Sequence, residues 1–118
     1  MKKNFRLKRN EEIGKLVAKK RCVKNSNYIM YYGFNDSNNN ARICISVGKK
    51  IGNAVIRNKT KRQVREIVKQ VIDFSLKIDI VIVVRQNYLQ CTFQENLEML
   101  KKVFNSFINK EINVNEKK

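Results

Sequence analysis

The hydrophobic pattern changes its period along the chain, and its first section has the period of a helix. Ile13, Leu16 and Val17 are spaced i, i+3, i+4 and would form one apolar stripe. Asn10 is a favourable residue for the N-cap of such a helix. We therefore predict a short helix that follows Asn10 and packs its stripe against the rest of the protein.

Two segments with the patterns of strands come next. Residues 28–34 are rich in aromatic side chains, which favour extended structure. Residues 41–47 alternate between apolar and polar positions, which is typical of a strand with one buried face. The polar run 35–40 separates the two segments. We predict that they pair as an antiparallel hairpin closed by this long loop.

The second half of the chain predicts a long helix, a strand and a further helix. Helical spacing extends over residues 54–73 after Asn53, a plausible N-cap, and residues 78–84 are almost all apolar, as in a strand covered on both faces. Thr92 and Glu95 have the spacing of a capping box that begins the last helix. The two helical stripes are Val64, Ile67, Val68, Val71 and Ile72, then Leu97, Leu100, Phe104, Phe107 and Ile108.

These elements occur in the order helix, strand, strand, helix, strand, helix, which indicates an α/β fold. We predict a single domain over residues 1–118, because neither an internal repeat nor a linker divides the chain. Residues 1–9 are expected to form a basic N-terminal arm. Residues 109–118 are polar and charged, and we expect a frayed tail there.

The charge of the chain points to a polyanionic partner. Lys and Arg number 26 against 10 acidic residues, which gives a formal net charge of +16. Self-repulsion of this size opposes compaction, and either nucleic acid or an anionic membrane surface would relieve it. No apolar run approaches the roughly 18 residues of a membrane span, and no signal-peptide pattern follows the first lysines. We therefore expect a cytoplasmic protein that does not bind a membrane.

The strongest local signal is a basic face on the long predicted helix. Arg57, Lys61 and Arg65 are spaced by four residues and share one side, with Asn58 and Arg62 in the adjacent row. Like charges at this spacing destabilise an isolated helix, and a phosphate backbone would offset that cost. The alternative interpretation is an ordinary solvated helix face.

The aromatic strand is the second candidate for RNA contact. Tyrosine rings can stack on unpaired bases, although Tyr28, Tyr31 and Tyr32 could equally belong to the core. The alternation of a strand places Tyr31 on the opposite face from the other two. One face of this strand therefore carries a ring that the core does not require.

Independent catalysis and metal binding have little support in the sequence. The chain has no histidine, which is the commonest general base, and its carboxylates are scattered rather than grouped as in a two-metal nuclease. Cys22, Cys44 and Cys91 lack metal-ligand spacing, so we expect reduced thiols, with Cys44 in the core. We expect no catalytic residue, no protein metal site and no small-molecule substrate.

Residues 46–66 closely resemble the signature of the bacterial ribonuclease P protein family. That signature is Lys-x-x-Gly-x-Ala-Val-x-Arg-Asn, followed by Lys-Arg and then Arg-Glu. This chain carries it as Lys49, Gly52, Ala54, Val55, Arg57 and Asn58, then Lys61, Arg62, Arg65 and Glu66. The resemblance covers nearly the whole chain, including its basic opening, the order of its elements and its length.

The resemblance implies both a fold and a function. The fold would be a compact α/β sandwich whose mixed sheet has about four strands, counting one further short strand. A left-handed βαβ crossover would surround the basic helix. The chain would assist a catalytic RNA that removes the 5′ leader from precursor tRNA, and that RNA with its Mg²⁺ would perform the hydrolysis.

The same resemblance assigns two groups of residues to RNA. The catalytic RNA would contact Lys49, Lys50, Asn53, Arg57, Asn58, Lys61, Arg62 and Arg65. The leader would occupy a cleft between the first helix and the sheet, lined by Ile13, Val17, Tyr31, Lys61 and Arg65. Family members often carry phenylalanines where this chain has Ile13 and Val17, so leader contact there would be apolar packing rather than stacking.

Two other classes of protein fit part of the pattern. Composition alone would suit a ribosomal or other structural RNA-binding protein. A stand-alone metal-dependent nuclease is a third class, which the absent histidine and the dispersed carboxylates disfavour. The signature string is the feature that favours the ribonuclease P family over both.

Overall fold

A computed structural model of the chain describes residues 5–7, 10–35 and 39–113. The helices α1, α2 and α3 span Asn10–Ala18, Ala54–Val71 and Phe93–Phe107. The strands β1 to β4 span Cys22–Lys24, Tyr28–Phe34, Arg42–Ser46 and Ile78–Val84. Short 3₁₀ turns lie at Lys49–Ile51 and Gln86–Gln90, and a π-helical turn, Ile108–Asn113, continues α3.

The four strands form one mixed sheet in the order β1-β2-β4-β3. β4 pairs antiparallel with β2 and parallel with β3, so the predicted hairpin between β2 and β3 is wrong. The physical reason lies in β4, whose residues are apolar toward both faces: Ile80 and Ile82 are buried on one side and Val81 on the other. A strand of this kind is most stable in the interior of a sheet, where it separates β2 from β3.

The predicted architecture is otherwise confirmed. α2 connects the parallel neighbours β3 and β4 and forms the βαβ unit that the resemblance implies. β1 pairs with β2 and is the further short strand. The left-handed sense of the crossover stays a prediction.

The inner face of the sheet packs against α2 and α3 and holds the main core. Tyr28, Met30 and Tyr32 of β2 are fully buried there, which excludes both tyrosines as stacking platforms for RNA. The helices contribute the apolar stripes predicted from their spacing, including Val64, Ile67, Val68, Leu97, Leu100, Phe104 and Phe107. The predicted capping box is also present: Glu95 N donates to Thr92 Oγ1 at 3.1 Å, and Thr92 N donates to Glu95 Oε1 at 2.8 Å.

Both ends of the described chain contact the sheet. Arg6 forms a bridge with Ile43 of β3, and Leu7 is buried against the outer face. The π-helical turn extends beyond Asn109, where the predicted tail begins, and its Glu111 accepts a hydrogen bond from Tyr32 Oη. The rest of the predicted tail, residues 114–118, and residues 1–4, 8 and 9 of the predicted arm lie outside the described residues.

α1 lies across one end of the outer face of the sheet. Its Leu16 is buried against Leu7 and Val81. Gly33 makes this close approach available, because a Cβ atom at that position would lie only 2.6 Å from Leu16 Cδ1. The absence of a side chain at Gly33 in β2 therefore determines how closely α1 approaches the sheet.

Gly33→Ala is expected to lower the free energy of unfolding by about 1 kcal/mol, measured by denaturant unfolding. The loss is at the low end for overpacking because the clash involves the end of a leucine side chain. Gly14→Ala in α1 is the matched control, since its added Cβ would meet no atom within 4 Å and alanine favours helix. Equal stability of the two variants would contradict this account of the α1 contact.

Candidate RNA-binding surface

The basic signature begins with a turn that positions the first residue of α2. After the 3₁₀ turn Lys49–Ile51, Gly52 has a φ of 156°, a conformation that side chains disfavour. An added Cβ there would also lie 3.0 Å from Ile56 Cγ2. This geometry leaves Asn53 as the N-cap, where its side chain accepts a hydrogen bond from Ile56 N at 3.0 Å. The glycine and asparagine of the signature thus have a structural role at the helix start.

The two basic rows of α2 differ in their exposure. Arg57, Lys61 and Arg65 are half-buried and lie along the edge between the buried and exposed sides of the helix. Asn58 and Arg62 of the adjacent row are exposed. We call the first set the basic row. Its partial burial holds the cationic side chains in place better than a fully solvated face would.

The thiol of Cys44 shows where the basic row lies relative to the sheet. Cys44 belongs to the outer face of β3 and is half-buried, so the prediction of a core position was partly correct. Burial raises the pKa of this thiol, and the nearby Lys61 ammonium acts in the opposite direction. Lys61 is therefore close to the outer face, on the β3 side of the sheet.

Strand register places Tyr31 in the same row of the outer face as Cys44. Tyr31 pairs with Val81, and Val81 pairs with Cys44 on its other side. Tyr31 is half-buried and packs in the same apolar cluster as Ile13 and Val17 of α1. The structure thus brings together the two predicted α1 residues and the predicted aromatic. Lys61 lies beyond Cys44, on the β3 side of the sheet.

α1 covers only one end of this face. Arg42 of β3 binds Asp79 through two hydrogen bonds of 2.9 Å and also contacts Glu12 of α1 at 3.3 Å. Together with the Gly33 contact, this ion pair holds α1 over the end of the sheet where β4 begins. Toward the other end, the outer face carries the half-buried Val83.

We define the cleft as the outer-face surface between α1 and the basic row. Its floor includes residues that the sequence analysis missed. Ile29 and Ser46 both pair with Val83, so they lie one step beyond the row of Tyr31 on the same face. Ile29 lies two residues before Tyr31 in β2, and this spacing could have placed it on the same face as Tyr31 from the sequence alone. Only the register could reveal the others, because they belong to different strands.

The groups on this surface are ones that can bind phosphates and bases. It offers cations, the amide of Asn58 and an apolar floor with one ring. Across residues 5–7, 10–35 and 39–113, no group of three or more His, Cys, Asp and Glu residues could hold a metal ion. Within the same ranges, no helix has the length and hydropathy required to cross a membrane.

Comparison with known proteins finds relatives that match nearly the whole chain. A family profile described as ribonuclease P matches residues 1–107. The ribonuclease P protein component of Mesoplasma florum is 38% identical over 110 residues, which cover 92% of this chain and 99% of that protein. That of Mycoplasma capricolum is 40% identical over 105 residues, which cover 87% and 95%.

A solved structure gives the same result for the fold. The Staphylococcus aureus RNase P protein matches with a TM-score of 0.76 at 32% identity, over 86% of this chain and 93% of that one. The chain therefore belongs to the bacterial ribonuclease P protein family, the RNA-binding protein components of the ribonucleoprotein that acts in tRNA processing.

Proposed function

We propose that this chain binds the catalytic RNA of ribonuclease P through α2 and holds the 5′ leader of precursor tRNA in the cleft. The RNA contacts are Lys49, Lys50, Asn53, Arg57, Asn58, Lys61, Arg62 and Arg65. The leader contacts are Ile13, Val17, Tyr31, Lys61 and Arg65. The catalytic RNA, with Mg²⁺ bound chiefly to that RNA, carries out the hydrolysis.

The observation that carries the proposal is that the described residues cover the outer face only in part. A sheet face in a small domain is normally buried by a full layer of helices, but α1 has only nine residues and covers one end. Tyr31 is only half-buried beside it, and its hydroxyl makes no hydrogen bond within the described part of the chain. An unpaired base of the leader could lie on this ring while a phosphate of the leader backbone contacts Lys61.

This arrangement would assist the reaction by binding rather than by chemistry. A single-stranded leader exposes both base faces and phosphates, which suit an apolar floor with cations along one side. Mature tRNA has no leader and would gain nothing from the cleft. The protein would therefore favour substrate over product, while the positive charge of α2 reduces repulsion between RNA segments.

Reconstitution with candidate catalytic RNAs tests the proposal. We expect precursor tRNA to be cleaved only when RNA subunit and Mg²⁺ are present, and the protein to raise the rate most at low Mg²⁺. The protein alone should not cleave at any Mg²⁺ concentration. Cleavage by the protein alone, or a rate that does not respond to the protein, would contradict the proposal. Co-purification with ribosomes instead of one large RNA would support the structural RNA-binding class.

A further inference from the structure

A second surface of α2 has no role in the function proposed above. On the flank opposite the basic row, α2 and the 3₁₀ turn Gln86–Gln90 enclose an open groove of about 360 Å³. Two apolar side chains line it while remaining strongly exposed, Ile56 at 40% and Leu89 at 46%. Exposed apolar surface that borders a concave site is typical of ligand-binding grooves. We call this site the α2 groove.

The α2 groove also contains a side-chain amide whose donor is left without a partner among the described residues. Burial raises the pKa of Tyr88 to about 12, so its phenol stays protonated and donates to Gln63 Oε1 at 3.0 Å. This bond sets the orientation of the Gln63 amide and leaves its nitrogen as the donor. Within the described residues, that nitrogen has no hydrogen-bond partner. The groove therefore combines an apolar wall with a fixed polar contact.

The charge around the α2 groove favours RNA over protein as its occupant. Lys59 is part of the lining, and the exposed Arg62 lies between the groove and the basic row by helical periodicity. In the 3₁₀ turn that borders the groove, Gln86 donates to the carbonyl of Lys50 at 3.1 Å. This bond joins the groove to the basic turn before α2. None of the described residues that line the groove is acidic. An RNA that covers α2 would extend onto this flank.

We propose that the α2 groove receives an unstacked nucleobase of the RNA subunit. The base would lie against Ile56 and Leu89 and accept a hydrogen bond from the Gln63 amide, while Lys59 binds a flanking phosphate. Proteins commonly recognise single-stranded RNA through splayed-out bases that are hydrogen-bonded along their edges. The inference rests on the proposed binding of the RNA subunit to α2 and adds a base-specific contact to its phosphate contacts.

Leu89→Ala is the main test, with the full chain and the catalytic RNA subunit in a direct binding assay over a range of KCl concentrations. We expect affinity to fall about ten-fold, because the base loses the apolar surface of one leucine side chain. The slope of log K against log salt should stay unchanged, because no phosphate contact is removed. Leu89→Gln, which retains the side-chain length, should show a similar loss. Melting temperatures of both variants should remain near that of the wild type.

Phe34→Ala provides the matched control. Phe34 is 49% exposed, similar to Leu89, but it pairs with Ile78 at the opposite end of the sheet. Its loss should leave RNA affinity unchanged. Wild-type affinity in Leu89→Ala, together with a loss on changing Arg57 and Arg65, would overturn the base contact but retain the proposed function. No loss in any of these variants would overturn both.

The oligomeric state tests the other possible occupant of the α2 groove, a second copy of this chain. Sedimentation of the wild type without RNA is expected to show a monomer whose mass does not depend on Leu89. Self-association that Leu89→Ala abolishes would overturn the proposal, because the α2 groove would then bind a second copy of the chain.

Discussion

Arg57→Ala combined with Arg65→Ala is expected to weaken binding of the catalytic RNA by about 3 kcal/mol without unfolding the protein. Hydrogen bonds to charged groups contribute about 1.5–3 kcal/mol each, so two lost phosphate contacts account for this size. The log–log salt dependence should flatten by roughly 0.7–0.9 for each contact, or about 1.4–1.8 for the pair. RNA titrations between low and moderate salt measure both quantities.

The structure explains why these arginines should be dispensable for folding. Both are only half-buried and lie outside the apolar stripe of α2. Arg57 Nε is buried, yet it has no hydrogen-bond partner in the part of the chain that the structure describes. Its removal would leave no partner group unpaired.

Lys101→Ala combined with Lys102→Ala is the matched control for this prediction. It also removes two charges from the formal net charge of +16, but from exposed positions on α3. This control should change the salt slope much less than the arginine pair. An unchanged slope together with a lowered melting temperature in the arginine variant would show that these residues are structural.

Tyr31→Ala is expected to weaken binding of precursor tRNA to the reconstituted holoenzyme by about 1–3 kcal/mol, the value of one base-stacking contact. Binding of mature tRNA should not change, because only the precursor carries the single-stranded leader. Equilibrium binding of both tRNA forms to the same holoenzyme measures the difference.

The position of Tyr31 makes this prediction specific. Tyr28 and Tyr32 in the same strand are fully buried, whereas Tyr31 is half-buried on the outer face beside Ile13 and Val17. Ile13→Phe would place a further ring beside it and should tighten precursor binding or leave it unchanged. If Tyr31→Ala costs several kcal/mol of stability and weakens both tRNA forms equally, Tyr31 is a core residue and the cleft assignment is wrong.

Local patterns in the sequence were enough to predict most of the secondary structure. Helical spacing located α1, α2 and α3, and the capping box at Thr92 and Glu95 marked the start of α3. Alternation in β3 placed Ile43 and Cys44 on opposite faces of the strand, as their membership of two different apolar clusters confirms. These predictions succeeded because helix and strand periods depend on neighbours within a few residues.

Strand pairing could not be predicted in the same way. The long polar loop between β2 and β3 suggested a hairpin, but β4 lies between these strands and pairs with both. Alternation shows which side of a strand is buried and carries no information about which strand lies beside it. The pairing depends on the burial of all apolar faces at once, which is a property of the whole chain.

The buried amides show a second limit. Asn27 and Asn96 are far apart in sequence and polar, yet both are buried, and Asn27 Nδ2 donates to Asn96 Oδ1 at 2.7 Å. Asn96 also donates to the carbonyl of Tyr88 at 3.1 Å. Each amide is stable in the interior only because the fold supplies partners for it, and no local pattern reveals those partners.

The sequence by itself determined the basic face of α2 and the family, because the signature of residues 46–66 is contiguous and its charges repeat every four residues along one helix. Only the tertiary structure decided how the cleft is built. Tyr31, Val81 and Cys44 come from three strands and meet through register, while Gly33 sets the distance to α1. A binding motif within one helix depends on local geometry, whereas a cleft depends on long-range packing that brings distant segments together.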